Sequence, residues 1–326
     1  MWPEQALFGY AGLFEKIISK LGSCIRWMTK SEILCFGEIL WDSMPSGLFL
    51  GGAPFNVAHD LHQLGINGRI ISRVGNDVLG HEILRRLELA GMSTDLVQVD
   101  NRFPTGFVAV TFDAEKNPAY RIIEPSAWDS ISVEEGLVRR ASEARMLVFG
   151  TLACRSQNNR ESMRKLLKSS RTSVLDVNIR PGAISKEITE ELLLSADIVK
   201  ANSSEMEILK EWFDLPDNDR NAAESIAKAF SCNLICISMG SDGGSLWHDG
   251  RWTHHPGFRV NAQSSVGAGD AFLAGLLSAL AEGKSDEEII ENANLLGAYA
   301  VTKIEAAPEF NEREIEHVRN CRRGMV

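Results

Sequence analysis

The densest chemistry in the chain lies in Asn261–Gly275, which reads Asn-Ala-Gln-Ser-Ser-Val-Gly-Ala-Gly-Asp-Ala-Phe-Leu-Ala-Gly. A polar, turn-prone run passes through Gly267, Ala268 and Gly269 into an apolar helical pattern from Ala271 to about Ala281. Small residues at a helix start leave the first backbone N–H groups uncovered. With the positive end of the helix dipole, those groups form an anion site. Asp270 falls in that first turn. On the plain reading it is a charge that stabilises the helix. On the chemical reading it is a general base, beside amides that hold a phosphoryl group.

Three other clusters carry the same double reading. Asp42 with Gly51-Gly52-Ala53-Pro54-Phe55-Asn56 offers a carboxylate, an amide and glycine backbone, which suit the hydroxyls of a polyol; the alternative is a turn with Asn56 as a cap. Asn202-Ser-Ser-Glu205 is either a capping box or an amide for phosphate with a carboxylate that orders the waters of Mg²⁺. Ser238-Met-Gly-Ser-Asp-Gly243 is either a hairpin entry or a place where Gly240 and Gly243 let a nucleotide approach the backbone. No G-x-x-x-x-G-K-[ST] or G-x-G-x-x-G occurs. Phe272 stands where a third glycine would follow Gly267-Ala-Gly269, so Walker-type ATPase and Rossmann dehydrogenase readings lose their support.

An alternation of strands and helices must position these clusters. Ile33–Phe36 reads as a buried strand continued by 38–42, with a turn at Pro45-Ser46-Gly47. A helix runs from Asn56 to Gly65, a strand from Arg69 to Val74, and a helix capped by Asp77 ends near Gly91. Phe103–Ile123 alternates around Asp113–Pro118 and reads as a hairpin, taken as a small β-lid together with 42–50. Strands follow at Met146–Phe149, Ser173–Val177, Ile198–Ala201 and Leu234–Ser238, then a hairpin at Gly243–His248 and Arg251–His254. Among them lie helices at 133–145, 159–169, 186–195, 203–213 and 221–230. Long helices at Ala268–Glu282 and Asp286–Lys303 and a last one at 311–323 complete the chain. The order implies an α/β fold with a mostly parallel, doubly wound sheet, whose ligands sit at the carboxyl ends of the strands. Each polar cluster follows a predicted strand.

The chain has 326 residues, 44% hydrophobic, with a formal net charge of −10. That argues against nucleic-acid and anionic-membrane partners, and no apolar run reaches spanning length. Six scattered cysteines lack metal-ligand spacing, which points to reduced thiols in a cytoplasmic protein. Residues 1–30 read as an N-terminal extension dispensable to a domain at 31–326. Met28 is a candidate start, and deletion of 1–27 with solubility and activity retained is the expectation. The extension lacks the h-region and cleavage site of a secretory signal.

The motifs together resemble the PfkB-type (ribokinase-like) carbohydrate kinases from about Ser31 to Phe310. Gly51-Gly-Ala-Pro-Phe-Asn-Val-Ala-His-Asp-Leu-His-Gln-Leu-Gly65 is similar to the family's N-terminal signature, and Gly267-Ala-Gly-Asp-Ala-Phe272 to its C-terminal one. Gly37-Glu-Ile-Leu-Trp-Asp42, Ala127-Trp-Asp129, Asp176-Val-Asn-Ile-Arg180 and Ala196–Glu205 resemble the fructokinase branch. The resemblance implies Asp270 as base and the amides of Gly267, Ala268 and Gly269 as anion hole. It implies Asp42, Gly51, Gly52, Asn56 and Arg180 on sugar, and Asn202, Ser238, Gly240, Gly243 and Asn294 on ATP, with Glu205 on Mg²⁺ through water. Ser264-Ser265 replaces the family's Asp-Thr, and Glu305 stands where glycine is common, which leaves K⁺ activation in doubt. The expected activity is ATP-dependent phosphorylation of a primary hydroxyl of a ketose such as fructose. Competing readings are a kinase for ribose, a sugar acid or a nucleoside, and a sugar- and nucleotide-binding regulatory protein that has lost turnover. Sugar choice is expected to depend on lid side chains such as Phe103, Phe107, Arg121 and Trp128, and a lid-to-lid homodimer follows from fold analogy.

Overall fold

In the computed structural model, residues 32–44, 47–112, 118–180 and 184–321 are described. The extension at 1–30 and most of the 113–118 turn lie outside them.

Strand β1 (Ile33–Phe36) is four apolar residues, all buried, and it pairs in parallel on both sides, with β4 (Gly68–Gly75) and β8 (Met146–Gly150). The nine-stranded sheet runs β13-β12-β11-β10-β9-β8-β1-β4-β5. Its other members are β5 (Val97–Asp100), β9 (Ser173–Asp176), β10 (Ile198–Asn202), β11 (Leu234–Ser238) and the hairpin β12 (Gly244–His248) and β13 (Arg251–His255). Only that hairpin is antiparallel. The strand order reverses between β1 and β8, and such a switch point opens a crevice at the carboxyl edge.

Side chains on successive strand positions point to opposite faces, and this alternation splits the core in two. Ile33, Cys35, Val148, Val174, Ile198 and Cys236 pack under α1 (Ala53–Gln63), α2 (Val78–Leu89), α8 (Ala268–Glu282) and α9 (Asp286–Ala300). Leu34, Phe36, Phe149, Leu175, Val199 and Ile235 pack under α3 (Glu135–Glu143), α4 (Gln157–Leu167), α5 (Lys186–Leu193), α6 (Ser203–Phe213) and α7 (Asp219–Phe230). A short α10 (Glu312–Asn320) packs on α9. Each such side chain, fully buried, contributes about 1.5–3 kcal/mol.

The lid is a separate four-stranded sheet in the order β3-β2-β6-β7. Its strands are β2 (Leu40–Met44), β3 (Gly47–Gly51), β6 (Gly106–Phe112) and β7 (Pro118–Ile122). Residues 38–42 therefore do not continue β1 as expected: the chain leaves the large sheet at Gly37 and Leu40 begins the lid. Edge strand β5 lay outside the sequence reading, because Val97–Asp100 is too short and half-exposed to give a pattern. Helix α9 ends at Ala300 rather than Lys303, where the Val301 carbonyl is taken by the N–H groups of Gln263 and Ser264.

Candidate active site

Helix α1 begins directly after the lid. Its N-cap is Gly52 at φ +114°, where a Cβ would run into the carbonyl oxygen of Glu38, so only glycine lets the helix start this close to the β1–β2 link. A Cβ on Gly51 would strike the Asp42 carboxylate. Asn56, one turn into α1 and 4% exposed, donates from Nδ2 to Oδ2 of Asp270 at 2.7 Å. The two signature segments thus meet at one contact.

Helix α8 starts at Gly267 in the left-handed region, φ +78°, packed so tightly on the Ala306 carbonyl that a side chain has no room. No side chain caps the helix. The three amides are not all bare as expected: the Ala268 N–H is held by the Ser265 carbonyl in a long 3.3 Å turn bond. Asp270 keeps a partly exposed edge. Burial nevertheless pushes its carboxyl up to about 7; Asp176 adds to the rise, the Asn56 hydrogen bond and Lys200 oppose it, and Asp60 adds a smaller repulsion.

More carboxylates stand on the neighbouring elements. Glu38 is buried and pushed up to about 7 by burial, with the Arg180 charge among the forces opposing it. Burial raises Asp42 to about 6 against the pull of Arg180, which is itself exposed. Asp60, one turn beyond Asn56 on α1, is fully buried beside His59 and raised to about 6, again by burial. Glu38, Asp176, Asn178 and Gly150 line a cavity of about 10 Å³ at the switch point, room for one water. Among the described residues Glu38 Oε2 and Asp176 Oδ2 are buried without a hydrogen-bond partner. Neither Glu38 nor Asp176 was assigned a role from sequence. The signal was a carboxylate closing the mostly apolar strand β9 for Asp176, and one just past apolar β1 for Glu38.

At the end of β10, Asn202 and Glu205 form the capping box: Asn202 Oδ1 accepts from the Glu205 N–H at 2.9 Å, and Glu205 Oε2 accepts from the Asn202 N–H at 2.8 Å. Burial raises the Glu205 carboxyl and Lys200 opposes the rise. Among the described residues no group of three or more His, Cys, Asp or Glu could hold a metal by itself. Ser238 ends β11, next to the short turn Gly240–Asp242, and Gly243 packs against the end of β13. Asn294 is buried in α9 and donates from Nδ2 to the Ile290 carbonyl at 2.7 Å. At position 264, Ser264 accepts from the Val266 N–H at 3.2 Å, and Glu305 is exposed.

The lid side chains need correction. Phe107 pairs with Trp41 and packs on the core, on the face of the lid opposite Asp42. Trp128 is fully buried under the Arg155 guanidinium, 4.1 Å from its ring centre, and Asp129 pairs with Arg155 at 2.8 Å. Strand alternation and burial remove both aromatics from the Asp42 face. Phe103 is half-buried and Arg121 exposed.

A wide parallel sheet with helices on both faces, a small β-lid and an open helix N-terminus beside a carboxylate at the strand ends define a ribokinase-like α/β protein. The model of the pfkB family of carbohydrate kinases matches residues 17–313, and the chain belongs to that family. It is a sugar kinase. A fructokinase from Escherichia coli is 29% identical over 293 residues, covering 83% of this chain and 94% of its own. The fold matches fructokinase with bound ATP from Xylella fastidiosa at a TM-score of 0.77 and 23% identity, over 89% of this chain and 98% of that one. It also matches a fructokinase double mutant from Vibrio cholerae, in a form with fructose, ADP and potassium ion bound, at a TM-score of 0.75 and 21% identity, over 89% and 98%. No helix among the described residues is long and apolar enough to cross a membrane.

Proposed function

We propose that the protein is an ATP-dependent kinase that transfers the γ-phosphate to a primary hydroxyl of a ketose such as fructose. The observation behind this reading is the 2.7 Å contact between Asn56 and Asp270 at the uncapped start of α8. An alcohol bound against Asn56 lies beside a carboxylate able to take its proton, next to amides able to hold the transferred group. Phosphoryl transfer needs little more than this positioning and charge stabilisation. Asp42, Gly51, Gly52, Asn56 and Arg180 hold the sugar. Asn202, Ser238, Gly240 and Gly243 hold the nucleotide, with Asn294 behind them in α9. Glu205 orders water on Mg²⁺, which when bound neutralises phosphate charge. With Ser264 in place of a carboxylate, no K⁺ requirement is proposed.

Asp176 and Asp60 add negative charge beside Asp270, and Glu38 and Asp42 add more where Arg180 acts on both. This surplus favours a neutral acceptor over a sugar acid. The catalytic unit is residues 31–326. The location proposed is the cytoplasm, in keeping with five free cysteines among the described residues. The outer lid carries exposed Leu48 on edge strand β3, beside a groove of about 560 Å³ lined by Trp41, Val78, Leu79 and Arg86, which supports a homodimer clasped through the lids. ADP release measured with fructose, ribose, a sugar acid and a nucleoside tests the acceptor, with fructose expected fastest. Turnover with only another acceptor would replace the ketose. Calorimetric binding of sugar and nucleotide without ADP release would select the regulatory reading.

A further inference from the structure

Lys200 has no place in the roles above, yet it sits at their centre. On β10, Val199 and Ala201 join the core under α3–α7, and Ile198 joins the core under α8. Alternation therefore turns Lys200 toward α8. On β9, Val174 and Leu175 alternate in the same way, so Asp176 also faces α8. The parallel register sets Lys200 directly opposite Asp176, and Nζ reaches Oδ1 at 2.9 Å. Each residue is 4% exposed. On the other neighbour, β11, the partner of Lys200 is uncharged Cys236.

Directly above lies the first turn of α8. A Cβ added at Gly269 would stand 3.1 Å from Lys200 Nζ, so the ammonium takes the space a side chain there would need. Burial pulls the lysine toward neutrality, but Asp176 on β9, Glu205 on α6 and Asp270 on α8 outweigh it and hold the proton on. The other charges that act on these groups are Asp60 on α1, on Asp270; Arg180, on Glu205; and Glu38, beside Asp176 across the small cavity. A buried ion pair is a weak stabiliser, because desolvating both ions offsets their attraction. A pair placed under the amides of an anion site therefore calls for another role.

We propose that Lys200 is a positioning residue for phosphoryl transfer: anchored by Asp176 beneath Gly269, its ammonium places fixed positive charge behind the α8 amides, under the turn that carries Asp270. The proposal rests on the kinase reading for its role and on the contacts of Lys200 for its geometry. Two measurements on the full chain separate the two. The first is a titration of ¹³C-carboxyl-labelled aspartate by NMR without sugar or nucleotide, with the Asp270 signal assigned through Asp270→Asn. The second is the pH profile of kcat/KM. Lys200→Met is expected to raise the Asp270 midpoint by about one pH unit or more and carry the acid limb of kcat/KM up with it. Asp176→Asn is expected to move both down. If Lys200→Met does not fold, Asp176→Asn compared with Lys200→Met/Asp176→Asn isolates the lysine, and the double variant should have the higher midpoint. An Asp270 midpoint unmoved by loss of Lys200 in folded protein overturns the proposal, whatever the acceptor. Wild-type protein that releases no ADP with any acceptor overturns the kinase reading and leaves the titration result standing.

Discussion

Asn56 and Asp270 are 214 positions apart in the chain, and the amide of the first donates to the carboxylate of the second at 2.7 Å. The bond ties the helix that follows the lid to the helix that begins at the anion site. It also lowers the proton affinity of a carboxyl that burial would otherwise raise further. On the proposed reading, the residue that holds the acceptor and the base that deprotonates it share one hydrogen bond.

Asp270→Asn is isosteric and should retain the fold while removing the proton acceptor. Steady-state ADP release is expected to fall by about 10²–10⁴-fold, with the melting temperature close to wild type. Wild-type turnover in this variant would exclude Asp270 as base.

The two glycines that open α8 should respond differently to alanine. At Gly267 the backbone is left-handed and the Ala306 carbonyl is in the way, so Gly267→Ala should cost about 1–3 kcal/mol or more in denaturant unfolding. At Gly269 the obstacle is the far end of the Lys200 side chain, which can shift. Gly269→Ala should fold normally and lose rate. Equal stability losses would contradict this.

Asp60 is a carboxyl raised by burial from 3.8 to about 6. The folded state then binds its proton more tightly than the unfolded state does. Its contribution to stability is most favourable below pH 4 and is lost as pH rises through 6. Asp60→Asn removes this penalty. Its melting temperature relative to wild type should climb between pH 4 and pH 7, by about 2 °C or more. A difference independent of pH would show that Asp60 is not strained by ionisation.

Leu48 is 45% exposed on the outer edge of the lid. If the lids clasp, Leu48→Glu should weaken the dimer at least about tenfold in analytical ultracentrifugation, since a charge would enter an apolar contact. A wild-type protein that is monomeric at high micromolar concentration would remove the lid interface.

Where residue patterns are local, the sequence was a good guide. Ala268–Glu282 and Ser203–Phe213 appear with the expected bounds, because a glycine start and a capping box are written in adjacent residues. The lid base was misplaced because Leu40–Asp42 carries the apolar character of β1 and nothing local marks its change of sheet. The direction of Trp128 was not legible, because an aromatic beside a hairpin gives no clue to it until Arg155 is seen covering the ring. Lys200 and Asp176 could not be paired from sequence, since their meeting depends on the register of two strands 24 positions apart.

Helix α8 carries both the amides and Asp270 within its first turn and buries most of its remaining length between α1 and α9 in the core over the sheet. On the proposed reading, the amides that hold the transferred phosphoryl group and the carboxylate that meets the attacking oxygen are machined into a single rigid bar, not assembled from separate loops. Rocking of that bar carries both parts together and preserves their spacing. Divergence in the lid can then change which alcohol is presented without recalibrating the reaction centre.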